Sequence, residues 1–298
     1  MEVLRIDERP DLRQPILIAA FSGWNDAGES ATSAVRFMFR RWSAPTVAEI
    51  EAEHFYDFTQ ARPRVRLDQG ERVLDWPPNK FSAHKLEGQD FDIVLLQATE
   101  PHLMWHSYLD AVLTCCREFN ITTVITLGAL LAEVSHTRPI RVNGSSTDPT
   151  LRDQFEFGPP ATPGYEGPTG IVGALNQVAQ QAGLRTASLW ANVPVYLDAS
   201  PNPKGSLALL ERLNKALKLE LRLHDLEVFC ARFDAQIASA VERDPQMAEY
   251  ARRIEAGLPD EDDEPAGAPE EPTESDLPDA QSMVDDLERF LREQRNDN

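Results

Sequence analysis

The chain has 298 residues, 42% hydrophobic and 26% charged, long enough for one large domain or two small ones with a sizeable core. With 29 basic against 49 acidic side chains, its formal charge is −20. Phosphate backbones and anionic lipid repel such a chain, so no nucleic-acid or membrane partner is expected.

The charge is uneven: residues 259–298 hold 15 acids and only Arg289, Arg292 and Arg295. Met1 to Gln14 mixes Glu2, Asp7, Glu8 and Asp11 with arginines, unlike a signal peptide, and Ile16 to Phe21 is far short of the roughly 20 residues that cross a bilayer. The three cysteines, Cys115, Cys116 and Cys230, read as reduced and buried thiols. A cytoplasmic location is expected.

Strands and helices alternate from the start. Pro15 to Phe21 is a continuous apolar run of strand length, the pattern of a strand buried on both faces. After the turn Ser22 to Gly28, Ala31, Ala34, Val35, Met38 and Trp42 recur at helical spacing, with Asp26 placed to cap that helix. Thr46 to Glu53 reads as a strand, and Arg64–Leu67 with Glu71–Asp75 as a hairpin around Asp68-Gln69-Gly70. Asp92 to Ala98 is another buried strand. A helix follows from Leu103 to Phe119, then a strand from Ile121 to Leu127 that ends at Gly128, and a later one from Arg185 to Val193. This order predicts an α/β layered domain with a largely parallel sheet.

Helices dominate the remainder. Ser206–Leu219 precedes a long helix with a stripe of Leu226, Phe229, Phe233, Ile237 and Ala240, and Asp244-Pro245 starts a shorter one ending at Gly257. Pro259 to Asp279 holds ten acids, five prolines and no base, the composition of a disordered linker. Beyond it Met283 or Val284, Leu287 and Leu291 suggest a short amphipathic helix. The expected organisation is an α/β domain over 1–222, a helical extension packed on it over 223–257, an acidic linker over 258–280 and the short helix over 281–295.

Three segments at strand ends could carry a site. In Gly23-Trp24-Asn25-Asp26-Ala27-Gly28, free N–H groups could hold an anion and Asn25 or Asp26 could polarise a bound group; alternatively, Asp26 only caps the helix and Trp24 packs on the sheet. The glycine-rich stretch Gly164 to Gly173 is neither a dinucleotide fingerprint nor a P-loop. In it Thr169 could cap the next helix, Gly167 and Gly170 could bring backbone close to a ligand or to a neighbouring strand, and Glu166 rides on the loop. His136 and Arg138 form the third segment. That pair suits acid–base or anion-binding roles, though His136 reads first as a hydrogen-bonded structural residue. His102 and His106 stand four apart, as on one helix face, but the pattern lacks a metalloprotease Glu; there is no C-x-x-C and no G-x-S-x-G. No cofactor, metal or complete catalytic constellation is expected.

Four segments in order carry a resemblance: Ala20 to Gly28; Leu127-Gly128-Ala129-Leu130 with His136-Thr137-Arg138-Pro139; Gly167-Pro168-Thr169-Gly170-Ile171; and Val193-Pro194-Val195-Tyr196 with Pro201-Asn202-Pro203-Lys204. Over residues 10 to 255 the chain resembles the bacterial branch of the proteasome assembly chaperone family. The resemblance implies a three-layer fold similar to nucleoside phosphorylases and related hydrolases, and homo-oligomers. In archaeal and eukaryotic relatives it implies a role in assembling the proteasome α-ring. It brings no established catalytic residues. Archaeal relatives that dock on the proteasome end in a hydrophobic–Tyr–any-residue tail, whereas Asn296-Asp297-Asn298 stands here, so that docking mode is not expected. The expected function is therefore chaperone-like binding of other protein chains by a homo-oligomer. The alternative is a nucleoside-like hydrolase, phosphorylase or ligand-binding protein using Trp24, Asn25, Asp26, Gly28, His136, Arg138, Glu166, Gly167, Thr169 and Gly170. Convergence of His136 or Glu166 on Asp26 would favour that alternative.

Overall fold

Strand β2 (Ile16–Ser22) forms the middle of the fold because its sequence has no polar side until Ser22. Ile16, Ile18 and Ala20 face one layer of helices, and Leu17, Ala19 and Phe21 face the other. The computed structural model describes residues 3–158, 167–197 and 199–257. The expected acidic linker and the short helix at 281–295 lie outside them, as does Glu166.

The main sheet adds β1 (Leu4–Ile6), β3 (Thr46–Ile50), β6 (Asn79–His84), β7 (Ile93–Thr99), β8 (Thr123–Ala132), β9 (Val142–Ser146) and β10 (Arg185–Pro194), in the order β1-β3-β6-β7-β2-β8-β10-β9. The four central strands β7, β2, β8 and β10 are parallel, and antiparallel strands extend both sides. One covering layer is α1 (Ser30–Trp42) and α5 (Pro203–Leu217), packing Ala34, Val35, Met38, Leu209 and Leu213. The opposite layer is α2 (Trp105–Glu118) and α4 (Ile171–Gln181), packing Tyr108, Val112, Ile171, Val172 and Leu175. Parallel strands buried on both faces point their carboxyl ends the same way, and the loops that leave them meet at one edge.

The expected three-layer sandwich stands, and several boundaries move. The strand expected to run to Glu53 stops at Ile50. The strand expected to end at Gly128 continues to Ala132, because this glycine serves the partner strand. A Cβ there would lie 2.6 Å from the Trp190 ring, so its absence lets the indole lie across β8. Strands β1, β6 and β9 and the short helix α3 (Pro149–Gln154) carry too mixed a pattern to be read from sequence.

The hairpin β4 (Arg64–Asp68) and β5 (Glu71–Asp75) forms as expected, with Gln69 and Gly70 both at positive φ in its turn. It is a separate two-stranded sheet, and Val65, Leu67 and Leu74 are each more than half exposed. In the long helix α6 (His224–Arg243) the buried stripe is Leu226, Cys230, Phe233 and Ile237; Phe229 faces outward. Asp244 caps α7 (Pro245–Ala256), its carboxylate accepting the N–H groups of Gln246 and Met247 at 2.9 and 3.2 Å. All three cysteines are free and buried.

Candidate strand-end site

The turn after β2 needs glycine twice, at Gly23 (φ +126°) and Gly28 (φ +59°), and between them it throws the Trp24 ring outward with 69% of its surface exposed. Asn25 is buried beneath. Its backbone oxygen accepts the Ala129 N–H at 2.8 Å, and its amide donates to Glu100 Oε1 at 2.9 Å. Glu100, just beyond β7, takes two more bonds: from the Trp24 N–H at 3.2 Å and, through Oε1, from the Ile171 N–H at 2.8 Å. One carboxylate thus joins the β2 turn, the end of β7 and the first turn of α4. An anion at a helix N-terminus is stabilised by the free N–H groups there. The expected cap, Thr169, does not act as one; its hydroxyl reaches only the Gly170 carbonyl, at 3.5 Å. Gly170 is required by proximity, since a Cβ there would sit 2.2 Å from the Asn25 amide.

These segments enclose a cavity of about 1040 Å³. Trp24, Asn25, Gly28, Thr169 and Gly170 of the expected set line it, together with Trp190, Leu130, Leu131 and Val195, which sequence reasoning missed. Leu131 and Leu130 are exposed because β8 continues past Gly128. Gly167 is an exposed loop residue outside the lining.

Among the described residues, the titratable members of the expected set, Asp26, His136 and Arg138, do not converge on the cavity. Asp26 turns under α1, where Oδ1 accepts the Ala31 N–H at 2.6 Å and both oxygens bond Thr32. It caps the start of the helix from upstream, as expected, and burial pushes its carboxyl up to about 6. His136 is committed elsewhere. Its Nδ1 lies 2.6 Å from the Tyr196 hydroxyl, and its carbonyl accepts from Lys204 Nζ. Burial, then the Lys204 charge, lowers its pKa below the ordinary imidazole value. Arg138 reaches the Glu255 carbonyl at 3.5 Å, and the Glu255 carboxylate accepts the Ser135 and Thr137 hydroxyls at 2.7 and 2.6 Å. This cluster fastens the segment after β8 to α7. His102 and His106 do not share a helix face, because His102 precedes α2 and accepts the Asp57 N–H at 3.1 Å.

The position of Asp26 has a measurable consequence. The folded state holds its proton more tightly than the unfolded chain, so the neutral carboxyl contributes stability that is complete below pH 3.8 and lost as pH rises through about 6. Asp26→Asn has no such titration. In urea unfolding from pH 4 to 7, the wild type is expected to lose up to roughly 3 kcal/mol relative to Asp26→Asn. Parallel stability curves for the two proteins would contradict the assignment.

Known proteins place this geometry in a family. Among curated proteins, none matches the chain. A crystal structure of a PAC2 family protein from Streptomyces avermitilis is 38% identical, covers 79% of this chain and 99% of its own, and has a TM-score of 0.72. A Mycobacterium tuberculosis protein described as a proteasome-assembly chaperone homologue is 37% identical over the same shares, with a TM-score of 0.70. PbaB of Pyrococcus furiosus, described as an archaeal proteasome activator, shares the fold at 19% identity and a TM-score of 0.66, covering 80% of this chain and 97% of its own. No helix among the described residues is long and apolar enough to cross a membrane. The PAC2 sequence profile matches residues 20–241, and the chain belongs to the PAC2 family.

Proposed function

We propose that this PAC2 protein is a cytoplasmic, chaperone-like scaffold that binds other protein chains as a homo-oligomer and has no catalysis of its own. The observation that carries the reading is the mouth of the strand-end cavity. Trp24 and Leu131 present 69% and 55% of their surface to solvent there, beside Leu130 and Val195. Burying a leucine or tryptophan side chain of this kind against a partner is worth about 1.5–3 kcal/mol. The groups an enzyme would use are tied into the frame: Asp26 under α1, Glu100 between three segments, His136 on Tyr196. That arrangement speaks against the nucleoside-like hydrolase or phosphorylase. The relative described as a proteasome-assembly chaperone homologue supports the same reading. In this reading 1–222 is the working body and 223–257 a helical extension packed upon it.

The self-association surface belongs to the hairpin. Tyr108 of α2 is wholly buried and bonded to Asn79, so it adds nothing to an exposed surface. Val65, Leu67 and Leu74 on β4 and β5 are exposed on a two-stranded sheet, a unit of marginal stability by itself. A second copy packing on this hairpin would bury all three.

Two measurements test the reading. Light scattering of the full chain should give more than one chain per particle, and Leu67→Ser with Leu74→Ser should give monomers; a monomeric parent would contradict the oligomer. For chain binding, the probe is fluorescein-labelled, reduced and carboxymethylated α-lactalbumin, an unfolded protein. Trp24→Ser with Leu131→Ser should raise the Kd read from anisotropy at least tenfold, the fold-change expected from the loss of even one of the two apolar anchors, without lowering the melting temperature. No binding by the parent, or equal binding by the variant, would refute a chain-binding mouth.

A further inference from the structure

Strand β9 ends the main sheet on one side, and its outer edge is open. Its register sets Asn143 opposite Trp190 and Ser145 opposite Ser188 of β10. One residue beyond that pairing, the Asn192 N–H donates to the Arg141 carbonyl at 3.0 Å. Antiparallel pairs alternate between residues that exchange backbone bonds and residues that do not. Arg141, Asn143 and Ser145 are therefore the bonded positions, and Val142, Gly144 and Ser146 turn their N–H and C=O groups away from β10. The Ser188 carbonyl, 2.8 Å from where a Cβ on Gly144 would stand, agrees with that phase. Among the described residues, no other backbone group bonds the outward positions.

Space lies beside this edge. A cavity of about 680 Å³ wraps β9, bounded by Asn176 and Gln180 of α4 on one side and by Arg152 of α3 and Arg212 of α5 on the other. It shares Asn143, Gly144, Ser145 and Trp190 with the cavity behind the mouth, so the strand edge continues the mouth. An unpaired edge is a template for another strand, and natural sheets blunt it with a charge, a proline or a cover. The sequence of β9, Val-Asn-Gly-Ser-Ser, has neither charge nor proline.

We propose that β9 takes an extended segment of a partner protein as a further strand of the sheet. The backbone of the segment bonds the outward groups of Val142, Gly144 and Ser146, a mode in which main-chain bonds give affinity and side-chain pockets give selectivity. Its alternate side chains fall on opposite faces. Those on the α4 face are apolar and enter the cavity beside Trp190, whose ring packs on that layer. On the α3 face, one is a carboxylate. Arg152 lines that side with no ion-pair partner among the described residues, while Glu156 is held by Lys215 at 2.6 Å. The β9 strand of a second copy does not fit this description, because Val-Asn-Gly-Ser-Ser has no acid to offer. The inference rests on the reading that the mouth binds protein chains, and it names the form the bound chain takes beyond the mouth.

Residue-resolved amide exchange of the full chain, alone and with reduced, carboxymethylated α-lactalbumin, tests it. With the probe bound, exchange at Val142 and Gly144 is expected to slow at least tenfold, while Asn143 and Ser145, already bonded to β10, change little. Val142→Pro removes one outward donor in a way an edge strand tolerates, and is expected to raise the Kd read from anisotropy about fivefold. Val142→Ala keeps the donor and leaves the Kd near that of the parent. Should Val142→Pro fail to fold, the exchange pattern of the parent decides. If the parent binds the probe and Trp24→Ser with Leu131→Ser weakens it, yet Val142 and Gly144 exchange as before, strand addition is wrong and the mouth reading stands. No binding by the parent would defeat both. Slow exchange at Val142 and Gly144 in the free chain that speeds up on dilution would place a second copy on this edge and would also overturn the proposal.

Discussion

The carboxylate of Glu100 holds the strand-end site open. It accepts three N–H groups: from Trp24, from the Asn25 side chain and from Ile171, residues 76, 75 and 71 positions away. Each segment alone would be a loop end with an unsatisfied donor. Together they form a rigid junction, because a charged acceptor binds N–H groups about twice as strongly as a neutral one and the dipole of α4 adds to the attraction. The junction fixes the distance between the β2 turn and the start of α4, which are two walls of the cavity. Gly170 allows the close approach, since any side chain there would collide with Asn25.

The three layers explain why the cavity lies where it does. Parallel strands with both faces covered release their loops at a common edge, and the buried apolar faces of β2, β8 and β10 fix those loops to the sheet. Polar groups near the edge are then used for fastening. Asp26 serves α1, and His136, Tyr196 and Glu255 serve the attachment of α7. What remains at the mouth is apolar and exposed, and the proposed binding of protein chains rests on that surface.

Much of the frame was legible because its signals are local. The continuous apolar run of β2, the helical spacing of α1, the Asp68-Gln69-Gly70 turn and the Asp-Pro start of α7 each depend on neighbours in sequence. The resemblance to proteasome assembly chaperones rested on four such segments and agrees with the PAC2 match. The site was legible only in part. Trp24, Asn25, Gly28, Thr169 and Gly170 do meet, since they sit at strand ends where loops gather. Glu100 was missed, although an acid directly after a buried strand was a usable signal, because its partners are more than 70 residues away. Trp190 was missed because it lies inside a strand, and Gly128 was misread as a terminator when it makes room for that ring. Asp26 and His136 were grouped with the site because their segments follow strand ends, and their hydrogen bonds lead them away from it.

The central claim is that Glu100 fastens the two walls of the cavity. Amide hydrogen exchange of Glu100→Ala against the parent measures it directly. The account predicts that exchange at Trp24 and Ile171 accelerates about tenfold or more, the effect of losing one charge-assisted bond, while amides of the central strands β2 and β8 keep their protection. Unchanged exchange at both positions would contradict the account, and so would a loss of protection spread evenly over the whole sheet.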